Sequence, residues 1–268
     1  MTAGNNVIKA TALTALKGKK IKAIFACLIL FFSVFIGGYT SSLFSIFGGE
    51  ILTFVLNFIF FAFIYTPLFL GILRFIWRIL FGADDNPISV FYYFSQKKLY
   101  KKILKFLSLL LIRIVPLGVL VSLPAVFARV ISLGKVFEYF KMPIPMWAAN
   151  ISYAYIFLST IAFVIMLLYS LKFYIAPVLL VADENMDAAE AIHMSTVISK
   201  KTSLEFLYLV FGFLGWILIS VLVIPAIFVL PYFLTAYAVH VRFAVAEYNM
   251  HIKKSFEDDT PTFVTGVE

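Results

Sequence analysis

The sequence has little of what catalytic, redox and metal sites require. Of its 268 residues, 13% are charged, three are histidines and one is a cysteine, Cys27. A single cysteine excludes an intrachain disulfide. The histidines show no metal-ligand spacing, which together with one cysteine excludes a zinc site. There is also no paired nucleophile and base and no phosphate-binding loop, so no catalytic residue, metal or cofactor is predicted.

Apolar residues are in excess. They make up 63% of the chain, against about 45–50% in soluble proteins. They fall in blocks of about twenty, the length that crosses a ~30 Å hydrocarbon core. This predicts an all-α membrane protein with six transmembrane helices in one polytopic domain, residues 1–254. The spans are expected at about 24–47, 51–73, 103–127, 149–176, 204–224 and 229–248, with an acidic, disordered tail over 255–268.

Several local signals set the boundaries of the spans. Gly48-Gly49-Glu50 is expected to form a short turn between spans one and two, and span two is expected to continue through Arg74 and Arg78. No residue from Phe206 to Val241 is charged, a stretch of 36 positions that suits two spans. Pro225 and Pro231 are expected to bracket the hairpin between them.

The N-terminal segment is amphipathic. Ile8, Ala12, Ala15 and Leu16 recur on one side at helical spacing, and lysines supply the charge. We expect a helix that lies at the inner interface of the membrane.

The basic residues are distributed asymmetrically between the two sets of loops. One set carries 17 Lys and Arg residues and the other carries only three, Arg129, Lys135 and Lys141. The positive-inside rule therefore places the larger set, and both termini, in the cytoplasm. The expected location is the bacterial cytoplasmic membrane.

Two similar acidic elements follow the even-numbered spans. Ala83-Asp84-Asp85-Asn86 and Ala182-Asp183-Glu184-Asn185 each precede a short predicted surface helix, a lysine pair and a new span. Asn86 suits an N-cap before Pro87. In the second element either Asn185 caps, or Asp187 caps with Glu190 completing a capping box. The pattern favours an internal repeat of span, amphipathic surface helix and span over paired catalytic carboxylates. The predicted capping residues are Asp84, Asn86, Asp183, Asn185, Asp187 and Glu190.

Four polar residues within the predicted spans form a candidate intramembrane site: Arg113, Asn57, His240 and Glu247. Arg113 either faces a cavity near mid-membrane or extends towards the interface. His240 and Glu247 share a helix face, as in a proton relay, although placement at the interface is favoured. Asn57 is expected to form an interhelical hydrogen bond.

The basic cytoplasmic segments predict contact with lipid headgroups. The residues expected to make it are Arg74, Arg78, Lys97, Lys98, Lys101 and Lys102. Such residues interact with anionic lipid at about 1 kcal/mol each. The net charge of +8 follows this topological pattern without a nucleic-acid motif, so anionic lipids, and not nucleic acid, are the expected partners. A protein partner or oligomer stays open.

The second half of the chain resembles a family of bacterial integral membrane proteins catalogued as domain of unknown function 975. The similarity lies in three groups of residues and is strongest from Ala176 to Phe243. These groups are Ala191, Met194 and Ser195; Phe211, Phe213, Leu214, Gly215 and Trp216; and Pro225, Pro231 and Tyr232. The segment Tyr65–Phe75 and the Ala15–Lys19 stretch also fit. The resemblance implies six spans in the cytoplasmic membrane and no established activity. The family is distantly similar to membrane domains attached to glycerophosphodiesterases.

Three functional hypotheses follow. The first is a non-enzymatic protein: a lipid-contacting scaffold, a partner subunit or a protective factor against membrane-active agents. The second is a small transporter or permease that uses the polar groups within the spans. The third, and least favoured, is an intramembrane enzyme that acts on lipid.

Overall fold

The computed structural model describes residues 4–132, 146–220 and 223–258, and within these ranges the chain is helical and contains no strand. The helices are α1 (Asn5–Leu16), α2 (Lys20–Phe60), α3 (Thr66–Leu80), α4 (Tyr92–Ser95), α5 (Lys97–Ser132), α6 (Met146–Ser170), α7 (Ala176–Ala182), α8 (Ala188–Gly212), α9 (Leu214–Ile219) and α10 (Val223–Asp258). The all-α prediction is confirmed. Residues 259–268 of the predicted tail lie outside the described residues, as do Lys135 and Lys141.

Five stretches are long and apolar enough to cross a membrane: Lys20–Phe44, Gly49–Leu80, Lys97–Phe127, Tyr153–Ala182 and Pro225–Met250. The first two lie within one long helical path that turns at Gly49. Gly49 has a φ of 66°, a left-handed conformation that glycine adopts without a Cβ penalty. The second stretch continues to Leu80, as the sequence indicates.

The segment expected as span five is interrupted. α8 runs without a break from Ala188 through the predicted surface helix, because no proline or glycine lies between Ala188 and Phe211. It ends at Gly212. The six-residue helix α9 follows after Phe213. The second predicted surface helix is therefore the first half of α8. The first copy differs, since Gln96, in an extended conformation, separates α4 from α5.

The expected hairpin between Pro225 and Pro231 is wrong. α10 begins at Val223, so Pro225 lies in its first turn and Pro231 lies inside it. Proline is tolerated within membrane helices because neighbouring groups satisfy the freed backbone atoms.

Side-chain burial divides the molecule into two zones. A continuous core contains α3, α7, the first half of α8 and part of α10, with fully buried residues such as Ile76, Ile175 and Ile192. Outside this core, the helices carry large apolar side chains that are exposed. Phe54, Phe127 and Phe157, for example, are 66–73% exposed. Exposed apolar surface on this scale is what a lipid environment covers.

The N-terminal helix α1 packs on α8 and α10. Ile8, Ala12 and Leu16 are buried, the first two against Leu209, Phe213 and neighbouring residues. The Lys9 ammonium donates to the Gly212 carbonyl at 2.7 Å, and so satisfies an acceptor at the end of α8. The amphipathic pattern therefore docks α1 against the bundle.

Candidate functional site: the charged end of the bundle

The first acidic element is held by basic residues from the beginning of the chain. The Lys22 ammonium lies 2.6 Å from the Asp84 carboxylate. Lys19 donates to the carbonyls of Gly82 and Ala83 at 2.9 and 2.7 Å. The hydrogen bond from Lys22 lowers the pKa of Asp84. These contacts tie the start of α2 to the segment that follows α3.

The second acidic element is held in the same way by α5. The Lys105 ammonium contacts both carboxylate oxygens of Asp187, at 2.9 and 3.0 Å. Lys102 donates to the Glu184 carbonyl at 2.8 Å. The hydrogen bond from Lys105 lowers the pKa of Asp187, and the backbone N–H of Ala189 contributes to the shift.

Arg74 links the two halves of this charged end. Its guanidinium donates to the Glu184 carboxylate from Nη2 at 2.9 Å and from Nε at 3.3 Å. It also stacks on the Tyr92 ring, 3.5 Å from the ring centroid. Only 11% of the Arg74 side chain is exposed, so α3, the first surface segment and the second acidic element meet at this residue.

The capping chemistry can be read directly from the hydrogen bonds. The Asn86 side chain accepts from the Ile88 N–H at 3.1 Å, with Pro87 following as the first helical residue. In the second element the cap is Asp187, which accepts from Ala189 N–H at 3.3 Å. Asp183 instead accepts from Asn185 N–H at 2.8 Å and so orders the preceding turn. Glu190 is exposed in the first turn of α8.

A buried polar cluster lies where the fourth predicted span breaks. The Tyr174 hydroxyl lies 2.8 Å from Thr202 Oγ1 and 3.0 Å from His240 Nε2. Tyr237 donates its hydroxyl to the Tyr174 carbonyl, and Phe206 stacks on the Tyr174 ring. His240 is 1% exposed, so it joins helices inside the bundle and does not face an interface.

The cluster around Tyr174 is a feature that the sequence reasoning missed. One signal was available in the spacing of hydroxyl residues along α8. Ser195, Ser199 and Thr202 follow one another at four and three residues, so they share one helix face, and all three are buried. The Ser195 and Ser199 hydroxyls donate to the Lys172 carbonyl at 3.0 and 3.2 Å, where the 3₁₀ turn Leu171–Phe173 interrupts the helix.

Arg113 lies in a different place from His240. It lines a cavity of about 580 Å³ between α5, the end of α6 and α8. Lys172 and Lys200 line the same cavity, with the hydroxyls of Thr196, Ser199 and Ser203. Arg113 was predicted as a site residue from the sequence, but its proximity to Lys172 and Lys200 was not.

The remaining predicted site residues do not converge. Asn57 is exposed on the second half of α2, and Glu247 is half-buried on α10. Lys97, Lys98 and Lys101 are exposed at the start of α5. Arg78 pairs with Asp85 at 2.8 Å. In the described part of the chain, no three His, Cys, Asp or Glu side chains are grouped so as to hold a metal ion.

The fold and this charged end define an all-α, membrane-embedded protein with an ion-paired polar layer at one end. Residues 1–244 match the family described as Protein of unknown function (DUF975), and the chain belongs to that family. No curated protein and no solved structure matches the chain.

Proposed function

We propose that this chain is a non-enzymatic protein of the bacterial cytoplasmic membrane that contacts anionic lipids from the cytoplasmic side. It acts there as a scaffold, a partner subunit or a protective factor against membrane-active agents. The observation that carries this proposal is that the acidic side chains are paired within the protein while a group of lysines is not. The carboxylates of Asp84, Glu184 and Asp187 are engaged by basic side chains of the protein, whereas the lysines at 97, 98 and 101 stay exposed.

The proposed topology has six crossings and both termini in the cytoplasm. Lys22–Asp84 joins the start of α2 to the end of α3, and Arg74–Glu184 joins α3 to the end of α7. Arg242 of α10 lies over the Phe81 ring at 4.9 Å. These contacts support three pairs of transmembrane segments, each of which begins and ends at the same end of the bundle. That end carries the excess of basic residues, which the positive-inside rule assigns to the cytoplasm.

An internal repeat accounts for the resemblance between the two acidic elements. Each follows a helix that is irregular shortly before a proline: a π-helical segment, Phe61–Tyr65, in the first copy and the 3₁₀ turn in the second. In each copy, a helix that follows the acidic element, α5 in the first and α8 in the second, supplies a hydroxyl group to the irregular backbone. Tyr100 donates to the Phe63 carbonyl at 3.0 Å, and Ser199 donates to the Lys172 carbonyl at 3.2 Å. Each of these residues lies sixteen positions after the first aspartate of its element, Asp84 or Asp183. Hydroxyl donors at matching positions, bound to the irregular backbone of each copy, support one duplicated unit.

The transporter hypothesis needs polar groups that meet along one path. Arg113 lines its own cavity, His240 is enclosed in the Tyr174 cluster, and Asn57 is exposed on α2. This separation supports the scaffold over the permease. The lipid-acting enzyme has no observation in its favour.

The test is the lipid that the protein retains. The full chain is extracted with a membrane-solubilising polymer, and its phosphatidylglycerol and cardiolipin content is compared with that of the whole membrane. We expect enrichment for the natural chain. We expect the enrichment to be reduced in a triple variant, Lys97→Gln, Lys98→Gln and Lys101→Gln, because each exposed lysine contributes about 1 kcal/mol near an anionic surface.

The matched control keeps the charge by changing the same three lysines to arginine. It should retain the enrichment of the natural chain. A lipid content equal to that of the whole membrane, in the natural chain itself, would contradict the proposed function.

A further inference from the structure

Three cationic side chains converge on one cavity at the junction between the charged end and the exposed apolar zone. Arg113, Lys172 and Lys200 come from α5, the broken fourth span and α8. Arg113 lies eight residues beyond Lys105 on α5, which is about 12 Å along the helix. The cavity therefore lies deeper than the acidic elements, on the side of the lipid-facing surface.

We infer that this cavity binds the phosphodiester group of one anionic phospholipid, an inference that rests on the proposed contact with anionic lipid. Its volume of about 580 Å³ is within the ~300–1,000 Å³ range of small-molecule sites. It is a defined site, distinct from the general attraction of exposed lysines to a membrane surface.

The electrostatics of the cavity call for an anion. None of the residues that line it is acidic. In the parts of the chain that the structure describes, Arg113, Lys172 and Lys200 take part in no ion pair. All three side chains are exposed to the cavity and repel one another, so one bound phosphate would relieve the repulsion among all three. Six basic residues next to the acidic elements, in contrast, already have carboxylate or carbonyl partners: Lys19, Lys22, Arg74, Arg78, Lys102 and Lys105.

The cavity is also held in shape by the protein itself. Two serine hydroxyls of α8 hold the Lys172 backbone, and the Lys172 ammonium lies over the Tyr169 ring at 4.7 Å. The Tyr169 hydroxyl donates to the Arg113 carbonyl at 3.4 Å, which connects α6 to α5. Hydrogen bonds from other helices therefore hold the backbone at Lys172 and at Arg113.

The chemistry of the lining matches a lipid phosphate. A guanidinium binds phosphate oxygens through two parallel N–H donors, and lysine supplies a point charge. The hydroxyl of Ser203, which also lines the cavity, is an additional potential donor. The apolar part of the lining is Leu168, Leu171 and Phe173, and Ile112 beside Arg113 is 68% exposed. Apolar surface that is continuous with the cations can pack against the acyl chains of a lipid phosphate. A free phosphate ion has no apolar group to contact it.

The test counts lipids bound to the purified full chain in neutral detergent by native mass spectrometry. Phosphatidylglycerol is titrated against phosphatidylcholine as the zwitterionic reference. We expect one phosphatidylglycerol of highest affinity. Lys200→Gln should weaken its binding roughly fivefold, the factor that corresponds to about 1 kcal/mol for one partly exposed charge contact. Arg113→Gln should do the same, and Arg113→Lys should recover part of the loss.

The control is Lys201→Gln, which removes the same charge from the neighbouring position outside the cavity. It should leave the high-affinity lipid in place. Equal losses for Lys200→Gln and Lys201→Gln would overturn the site and leave the proposed function standing. Inorganic phosphate that displaces the lipid at similar concentration would overturn the assignment to lipid. No preference for phosphatidylglycerol over phosphatidylcholine would overturn the site and the proposed function together.

Discussion

Arg74 and Glu184 offer the sharpest test of how the charged end is held together. Glu184→Gln keeps the shape of the side chain and removes its charge. The Arg74 guanidinium, held between Glu184 and the Tyr92 ring, then loses its carboxylate while its surroundings stay largely closed to water. We expect a loss of stability.

The size of this loss follows from the exposure of the two partners. Solvent-exposed ion pairs contribute about 0.2–1 kcal/mol, whereas breaking a fully buried pair costs about 3–5 kcal/mol. Here Arg74 is 11% exposed and Glu184 is 48% exposed, so the pair lies between these limits and close to the exposed one. We expect Glu184→Gln to lower the free energy of unfolding by about 1–2 kcal/mol.

The assay is denaturant or thermal unfolding in a mild detergent. Glu190→Gln is the control, because it removes the same charge from an exposed glutamate in the first turn of α8. Its helix-dipole contribution is a few tenths of a kcal/mol. If Glu184→Gln unfolds with the free energy of Glu190→Gln or of the natural chain, the pair does not hold the charged end and the reasoning fails.

The pH dependence gives an independent check on the same pair. The hydrogen bond from Arg74 lowers the pKa of Glu184 below its usual value. A carboxyl group with a lowered folded-state pKa adds stability that is complete above its unfolded-state pKa, about 4.3, and lost as the pH falls through the folded-state value. The difference in stability between the natural chain and Glu184→Gln should therefore be constant from neutral pH to about 5 and shrink below about 4. The other carboxylates titrate in both proteins and cancel.

Two further predictions concern packing in the core. A Cβ at Gly71 would lie 1.9 Å from the Val90 carbonyl oxygen, so Gly71→Ala should force the segment after α3 away from it and lower the midpoint of thermal unfolding. Gly215→Ala, at a position where an added Cβ would meet nothing within 4 Å apart from its own stretch of helix, should leave that midpoint nearly unchanged. Tyr174→Phe removes the hydroxyl from two buried partners and should cost about 1–3 kcal/mol, whereas Tyr153→Phe, at an exposed tyrosine, should cost little in the same unfolding assay.

The sequence predicted those parts of the fold that depend on short-range rules. Gly49 takes the positive φ that a tight turn requires, and Asn86 with Pro87 begins a helical segment by local capping. The apolar blocks predicted helices because one stretch of chain satisfies its own backbone in lipid. The end of α8 at Gly212 was not predicted. There, α1 supplies the donor to the final carbonyl, from a position more than 200 residues away in the chain.

The candidate site followed the same division between local and distant interactions. A capping side chain can be read from a few neighbouring residues, so Asp187 was among the predicted caps. Its second interaction, with Lys105, depends on how α5 packs beside α8, and no local pattern records that. The buried position of His240 is another example, because Tyr174 and Phe206, which lie against it, are brought there only by folding.

These distant pairings change how the charge of the chain is interpreted. Counted from the sequence, six basic residues were expected to contact lipid headgroups. In the structure, Arg74, Arg78 and Lys102 bind acidic or carbonyl groups of the protein, so a lipid would have to compete with those partners. The exposed lysines of α5 and the three cations of the cavity carry no such partner among the described residues. The basic residues of the chain therefore include those that hold the helices together and a smaller set, these lysines of α5 and the three cations of the cavity, that we propose binds anionic lipid. That smaller set, and not the total charge, is where substitution should change lipid binding without unfolding the protein.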